Sequence, residues 1–372
     1  MKYKIAISGS YGGMNLGDEA ILEGILQSLR RSINVDITVF SFNAKDTRER
    51  HQVRAIPFRD LHKEEIIEEL KKLDLFIVGG GGILFDGLAE ILLKDLIWAK
   101  ELGIPTMIYA VSAGPLNNQS SKEFVKEALN KTDIITVRED ESKRYLNDLG
   151  VTKDITVVAD PALLLQPARF TKENLKKEGI DPETTLVGFS VREPGLAAPN
   201  LDVEHYHGIL ANCADFMVER FDANILFVPM EHGPNKDSQH SHAIISKMIN
   251  TNKARVLKEE YTAPVVLDLM RHMTFAVGMR LHFLIFAGLQ NVPFLPLAYA
   301  SKVKGFIEDL DLPQLSLEHW SSGKICALID RAFDNRKAIQ KKLQKKIPKI
   351  QEKAKETNKI LFNFLKTITP KK

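Results

Sequence analysis

Short apolar runs alternate along this chain with longer runs in which apolar positions recur every three or four residues. The first kind reads as a strand and the second as an amphipathic helix. In the first half the strand runs are 3–8, 35–40, 75–78, 106–111, 134–137 and 155–158. Helical spacing lies between them, as in 62–73, where Ile66, Ile67 and Leu70 are set against Glu64, Glu65, Glu68 and Glu69, and in 120–130. This alternation predicts a parallel sheet with crossover helices. The rhythm breaks over 162–184, where Pro167 and Pro182 flank a charged helix-like piece. A second alternation follows, with strand runs at 186–191, 225–228, 256–257, 275–277 and 294–297. The expected fold is α/β with two Rossmann-like domains, 1–170 and 184–335, followed by a helical tail at 336–372.

The tail carries a pattern of its own. Ile339, Leu343, Ile347, Ile350, Ala354, Leu361 and Leu365 recur at mostly helical spacing with lysines on the other faces, and Pro348 is expected to kink or split the helix. Such a stripe is expected to pack on the body. A partner helix, or the inner face of a membrane with the lysines outward, would use the same face. Thirteen Lys/Arg against two Glu lie between Arg336 and Lys372, so the net charge of +3 belongs to the tail and the rest of the chain is acidic. That balance, with no basic patch interleaved with aromatics outside the tail, speaks against a nucleic-acid partner. A hydrophobic fraction of 44% and a charged fraction of 27% suit a soluble globular protein. Cys213 and Cys326 form no CxxC, which argues against a disulfide framework or cysteine zinc site. Residues 1–4 lead straight into a strand, leaving no signal-peptide core, and no apolar run approaches the ~20 residues of a membrane span. The expected location is cytoplasmic, with peripheral membrane contact open to the tail.

In an open parallel sheet, ligands bind beyond the carboxyl ends of the strands, and the unusual residues collect there. After the first strand come Gly9, Gly12, Gly13, Asn15, Gly17 and Asp18, a glycine-rich passage into a helix that suits an anion, although tight turns use glycine too. Gly79 to Gly82 follow the third strand and Ser112-Ala113-Gly114-Pro115 the fourth; both are expected to be small-residue turns with close backbone approach. Arg138-Glu139-Asp140-Glu141-Ser142 opens a helix after the fifth, with an ion pair to a neighbouring carboxylate as the plain reading of Arg138. In the second half, Arg192-Glu193, the loop 229–237 with His232, and Gly278-Met279-Arg280-Leu281-His282 end successive strands. His282 and Lys302 each fall in the first turn of an expected helix, where a cation can hold an anion. HExxH, GxSxG and GxxxxGK[ST] are absent. His205, His207, His240 and His242 pair at i, i+2, a spacing that splays rings on a helix, so they are read as surface residues rather than a metal site.

Taken in order, these pieces resemble the polysaccharide pyruvyltransferase family, which includes cell-wall ketal-pyruvyl transferases. The matching pieces are Gly9 with Asn15-Leu16-Gly17-Asp18-Glu19-Ala20; Gly79 to Gly82; Ser112-Ala113-Gly114-Pro115; Val137-Arg138-Glu139-Asp140 with Ser142; Ala159-Asp160-Pro161-Ala162; Gly278-Met279-Arg280-Leu281-His282; and Tyr299-Ala300-Ser301-Lys302-Val303. The resemblance implies a fold like GT-B glycosyltransferases, two Rossmann-like domains facing across a cleft. It also implies an activity in cell-envelope polysaccharide biosynthesis. The pyruvyl unit of phosphoenolpyruvate would pass to two hydroxyls of one sugar, in a polysaccharide or its lipid-linked precursor, with release of phosphate. Phosphoenolpyruvate is then a substrate, and neither a further cofactor nor a metal is implied. On the matching positions, His282 and Asp18 are expected to be catalytic. Arg138, Lys302, Arg280 and Gly278 are expected at the donor, and Asn15, Gly17, Gly80, Gly81, Arg192, Glu193 and His232 at the acceptor or lining the cleft. Two departures bear on the acceptor: Ala300 stands where many members carry an acidic or amide residue, and the loop 231–237 is individual. A nucleotide-sugar glycosyltransferase and a non-catalytic scaffold of a polysaccharide assembly complex are the competing readings.

Overall fold

A strand covered on both faces must be apolar at nearly every position, and β1 (Tyr3–Ser8) is buried from Ile5 onward. A computed structural model describes residues 2–194, 202–297, 301–312 and 321–371, apart from the side chains of Ser301 and Lys302. The chain divides into two units, one of 1–13, 18–165 and 350–372, the other of 14–17 and 166–349. In the first unit β1 is followed by α1 (Leu16–Ser32), β2 (Val35–Phe40), α2 (Ala44–His51), β3 (Arg54–Ile56), α3 (Lys63–Leu70), β4 (Leu75–Leu84) and α4 (Leu88–Glu101). Then come β5 (Thr106–Ala113), α5 (Gln119–Lys131), β6 (Ile134–Val137), α6 (Asp140–Asp148) and β7 (Ile155–Val157). The sheet is parallel in the order β3-β2-β1-β4-β5-β6-β7, so its direction of winding reverses between β1 and β4.

Two expected turns prove to be strand. β4 continues through all four glycines to Leu84, pairing Gly79 with Tyr109 and Gly81 with Val111. β5 likewise takes in Ser112 and Ala113. Glycine has no side chain to imprint a strand pattern, and the pairing with β5 overrides its weak preference. Side chains are excluded at Gly79, whose φ is +139° and whose Cβ would lie 2.2 Å from the Tyr109 carbonyl oxygen.

The second unit runs α7 (Lys172–Lys177), β8 (Thr185–Ser190), α8 (Val203–Phe221), β9 (Ala223–Phe227), α9 (Asp237–Lys247), β10 (Ala254–Val256), α10 (Ala263–Met270), β11 (Phe275–Gly278), α11 (Leu281–Leu289), β12 (Phe294–Pro296), α12 (Ser301–Asp309) and α13 (Ser322–Asp334). Its parallel sheet has the order β10-β9-β8-β11-β12, reversing between β8 and β11. Its core gathers Phe189, Tyr206, Phe227 and Phe275. Packing of α8 with α13 brings the sulfurs of Cys213 and Cys326, remote in sequence, to 3.9 Å without a bond between them.

α14 (Arg336–Leu365) is one helix, not split at Pro348. Gln344, whose carbonyl loses its helical donor to that proline, is exposed, so water can take the bond. Leu343, Ile347, Ile350, Ala354, Leu361 and Leu365 are buried. Within the second unit Gln340 Nε2 donates to the Asn291 carbonyl at 3.1 Å. Within the first, Tyr109 donates to Asn358 Oδ1 at 2.7 Å and Tyr3 to the Leu365 carbonyl at 3.0 Å. No described helix is long and apolar enough to cross a membrane.

Candidate functional site

Where winding reverses, neighbouring loops leave the sheet in opposite directions and open a crevice at the strand ends. In the first unit that point lies between β1 and β4, beneath the glycine-rich loop. Gly9 and Gly12 serve packing: a Cβ on Gly9 would stand 2.6 Å from the Tyr11 ring and one on Gly12 2.5 Å from Ser41 Oγ. Tyr11, fully buried, donates to the Gly79 carbonyl and ties the loop to the glycine strand. Burial, helped by Asp18, pushes its phenol well above the ordinary value.

Over the bare glycine backbone stand two charged groups. Asp18 Oδ1 lies 3.6 Å from the Cβ position of Gly81, and an Arg138 Nη2 lies 3.6 Å from that of Gly82. Gly80 abuts Ile21 and the Ala110 carbonyl. The Arg138 side chain is 3% exposed. Its Nε donates to Ser112 Oγ at 2.5 Å and its Nη1 to Asp160 Oδ2 at 2.5 Å, with Glu139 Oε2 3.3 Å from Nε. Burial opposes its charge, but the Asp160 and Glu139 carboxylates, with Asp18 beyond them, outweigh this and raise its pKa. The main partner is thus Asp160, on a separate loop, as well as the adjacent Glu139. Asp160 is itself oriented by the Ala162 amide, which donates to its Oδ1 at 2.9 Å.

In the second unit the reversal lies between β8 and β11, whose ends carry Arg192-Glu193 and Arg280-Leu281-His282. Residues 14–17 join this unit. Asn15 bridges Glu231 in antiparallel fashion, Leu16 N donates to the Met230 carbonyl at 2.7 Å, and His232 N donates to the Met14 carbonyl at 3.0 Å. Asn15 Oδ1 accepts from Gly17 N at 2.9 Å, the local turn that asparagine makes readily. His282, in the first turn of α11, lies against Gly17, where a Cβ would fall 2.0 Å from its Nδ1. Gly278 is bare for a different reason: a Cβ there would meet the Phe283 ring at 2.6 Å.

Arg280 caps α11 and is surrounded by carboxylates. It donates through Nε to Asp237 Oδ2 at 3.0 Å and through Nη2 to Asp237 Oδ1 at 2.5 Å. Glu231 Oε2 is 2.8 Å and Glu193 Oε2 3.7 Å from the same Nη2. Lys236 pairs with Glu231 at 2.7 Å, and Arg192 with Glu193. Burial opposes ionisation of Glu193, but Arg192 and then Arg280 hold its carboxyl below the usual range. At Asp237 burial wins over Arg280 and the pKa is raised. Beside this cluster, His207 is not a surface residue: it is 4% exposed and its Nε2 lies 2.9 Å from His240 Nδ1. Burial, then the other ring, lowers the pKa of His207. The i, i+2 spacing could not reveal a pairing between two different helices. Lys302 stands in the first turn of α12, with its side chain outside the described residues, as are Tyr299 and Ala300 entirely.

The sequence pattern of the polysaccharide pyruvyl transferases matches residues 15–301. The chain belongs to that family. This pyruvyl transferase family member is 21% identical over 419 residues to the amylovoran biosynthesis protein AmsJ of Erwinia amylovora, covering 98% of this chain and all of that one. Among solved structures it is similar to the UDP-GlcNAc 2-epimerase of Neisseria meningitidis, with a TM-score of 0.63, 12% identity, and coverage of 98% of this chain and 100% of that one. The ADP-heptose LPS heptosyltransferase II of E. coli is also similar, with a TM-score of 0.52, 14% identity, and coverage of 90% and 99%. These likenesses show the fold, two parallel-sheet domains of the GT-B kind. The family makes the chain a polysaccharide-modifying transferase.

Several residues that organise these sites in the family member carried little sequence signal. Asp160 stood in a quoted motif, but nothing in its spacing named Arg138 as its partner. Asp237 stood in the loop 229–237 as one polar residue among several. Each reveals itself only as the buried carboxylate facing a buried arginine.

Proposed function

We propose that this protein transfers the pyruvyl unit of phosphoenolpyruvate onto two hydroxyls of one sugar in a polysaccharide or its lipid-linked precursor. The product is a cyclic ketal and the leaving group is phosphate. Beyond family membership, the observation that carries this reading is His282, seated at the reversal point of the second sheet against the bare Cα of Gly17.

In this reading the His282 imidazolium gives its proton to the methylene carbon of the donor, which becomes a methyl group, and positive charge develops at the adjacent carbon. One sugar hydroxyl attacks that carbon and loses its proton to a carboxylate. Phosphate departs with its bonding electron pair, and the second hydroxyl closes the ketal with loss of its own proton. Asp18, the residue after Gly17, is our assignment for the carboxylate. Glu193 is the poorer base because Arg192 and Arg280 hold its pKa down. Arg138, Arg280 and Lys302 are assigned to the donor's negative charges, the kind of preorganised cation such a reaction needs.

Incubation with phosphoenolpyruvate and a panel of synthetic and lipid-linked glycosides, followed by phosphate release and product mass, tests the reading. The expected product is the glycoside plus one pyruvyl group less water. His282→Ala is expected to lose about 10²–10⁴ in turnover at saturating donor. Near wild-type turnover of that variant would remove His282 from the chemistry. A protein stabilised by a nucleotide sugar and not by phosphoenolpyruvate, with no phosphate released from any glycoside, would overturn the function.

A further inference from the structure

We infer that Asp237 is a positioning residue for the candidate acid His282, an inference that rests on the function proposed above. Asp237 opens α9, is completely buried, and receives four hydrogens. Its Oδ2 accepts from Met230 N at 3.0 Å, from Glu231 N at 3.2 Å and from Arg280 Nε at 3.0 Å, while Oδ1 accepts from Arg280 Nη2 at 2.5 Å. Every group aimed at it is a donor, so a carboxylate fits here and an amide, with one donating end, does not.

These bonds close a ring of contacts. Arg280 is the N-cap of α11, and His282 is two residues on. Met230 and Glu231 pair with Leu16 and Asn15, which leads to Gly17 under the His282 ring. Both supports of the imidazole, its own helix start and the loop it rests on, therefore run back to one carboxylate. A group that must deliver a proton along a defined line loses rate steeply when displaced, about 10²-fold for an ångström. Placing a negative charge in a fully buried position only to brace backbone would be costly, unless bonds of this number and geometry hold it.

The test compares Asp237→Asn with Asp215→Asn. Asp215 is a second buried carboxylate of the same unit, accepting from Ile249 N and Asn250 N at 2.8 Å each. In the full-length protein, NMR of the Gly17 amide and the His282 ring reports on the geometry without any turnover. Asp237→Asn is expected to move or broaden both signals, and Asp215→Asn to leave them in place. With phosphoenolpyruvate and an accepted glycoside, Asp237→Asn is expected to lower kcat about tenfold or more, with a smaller change in donor KM. Should Asp237→Asn fail to fold, Arg280→Lys breaks the same paired contact from the other side and is expected to shift the same two signals. Unmoved signals in a folded variant would overturn the inference. Shifted signals in a protein whose wild type turns over no donor would uphold the positioning and sink the proposed reaction instead.

Discussion

His51 Nε2 lies 2.7 Å from Glu19 Oε2, and both side chains are at most 3% exposed. Glu23 Oε2 lies 2.7 Å from the other ring nitrogen. Two carboxylates on two nitrogens require both N–H groups, hence the imidazolium. Burial opposes that charge, yet the bonds to Glu19 and Glu23 prevail and raise the pKa above its ordinary 6.5. Glu19 Oε1 also accepts from Gly12 N at 2.8 Å, so the ion pair steadies the glycine-rich loop.

The stability that His51 adds is therefore fully present below pH ~6.5 and is lost as pH rises through its higher folded value. Glu23 behaves oppositely. Burial opposes its ionisation, but the bond to His51 lowers its pKa, so its share is present above ~4.5 and is lost as pH falls through the folded value. His51→Gln is expected to lower stability by about 1–3 kcal/mol near pH 6, and by progressively less toward pH 9. Denaturation of both proteins across that range checks it; a gap that widens with pH contradicts the assignment.

Gly17→Ala places a methyl group 2.0 Å from the present position of His282 Nδ1, so the ring or the loop must move. Phosphate release at saturating phosphoenolpyruvate is expected to fall about tenfold to a hundredfold. Wild-type turnover in the alanine variant would show that the contact does not orient the ring.

Asp95, on α4, is fully buried, and neither carboxylate oxygen has a hydrogen-bond partner among the described residues. Burial raises its pKa to about 7, with Lys94 opposing weakly. A carboxyl raised in the folded state costs stability progressively as pH rises from ~3.8 toward 7. Asp95→Asn is accordingly expected to stabilise the protein by about 1–3 kcal/mol at pH 8 and hardly at all at pH 4. Chemical denaturation at the two pH values measures it, and a less stable variant at pH 8 would mean that the carboxylate is usefully paired.

Asn358→Leu leaves the buried Tyr109 hydroxyl without its acceptor, at an expected cost of about 1–3 kcal/mol. Adding Tyr109→Phe is expected to recover part of that loss, because the orphaned donor is then gone. A double-variant cycle in thermal unfolding tests the pair, and strict additivity would contradict a direct bond.

The two-domain α/β architecture was legible because strands covered on both faces leave apolar runs that the intervening helices do not. The order of short motifs sufficed to identify the family. Strand extent was less legible: the four glycines looked like a turn because they lack the side chains by which a strand declares itself. Histidine spacing misled in the same manner, since His207 meets His240 across two helices.

What the sequence alone determined is the kind of fold, the family and the places where chemistry gathers, at the strand ends. Tertiary structure alone decided which charges meet. Arg138 is held by Asp160 as well as by its neighbour Glu139, Arg280 by Asp237 and Glu231, and His51 by Glu19 and Glu23. Periodicity records which face of an element is buried. An ion pair depends on two side chains from separate elements reaching within a few ångströms of each other, and no local pattern carries that distance.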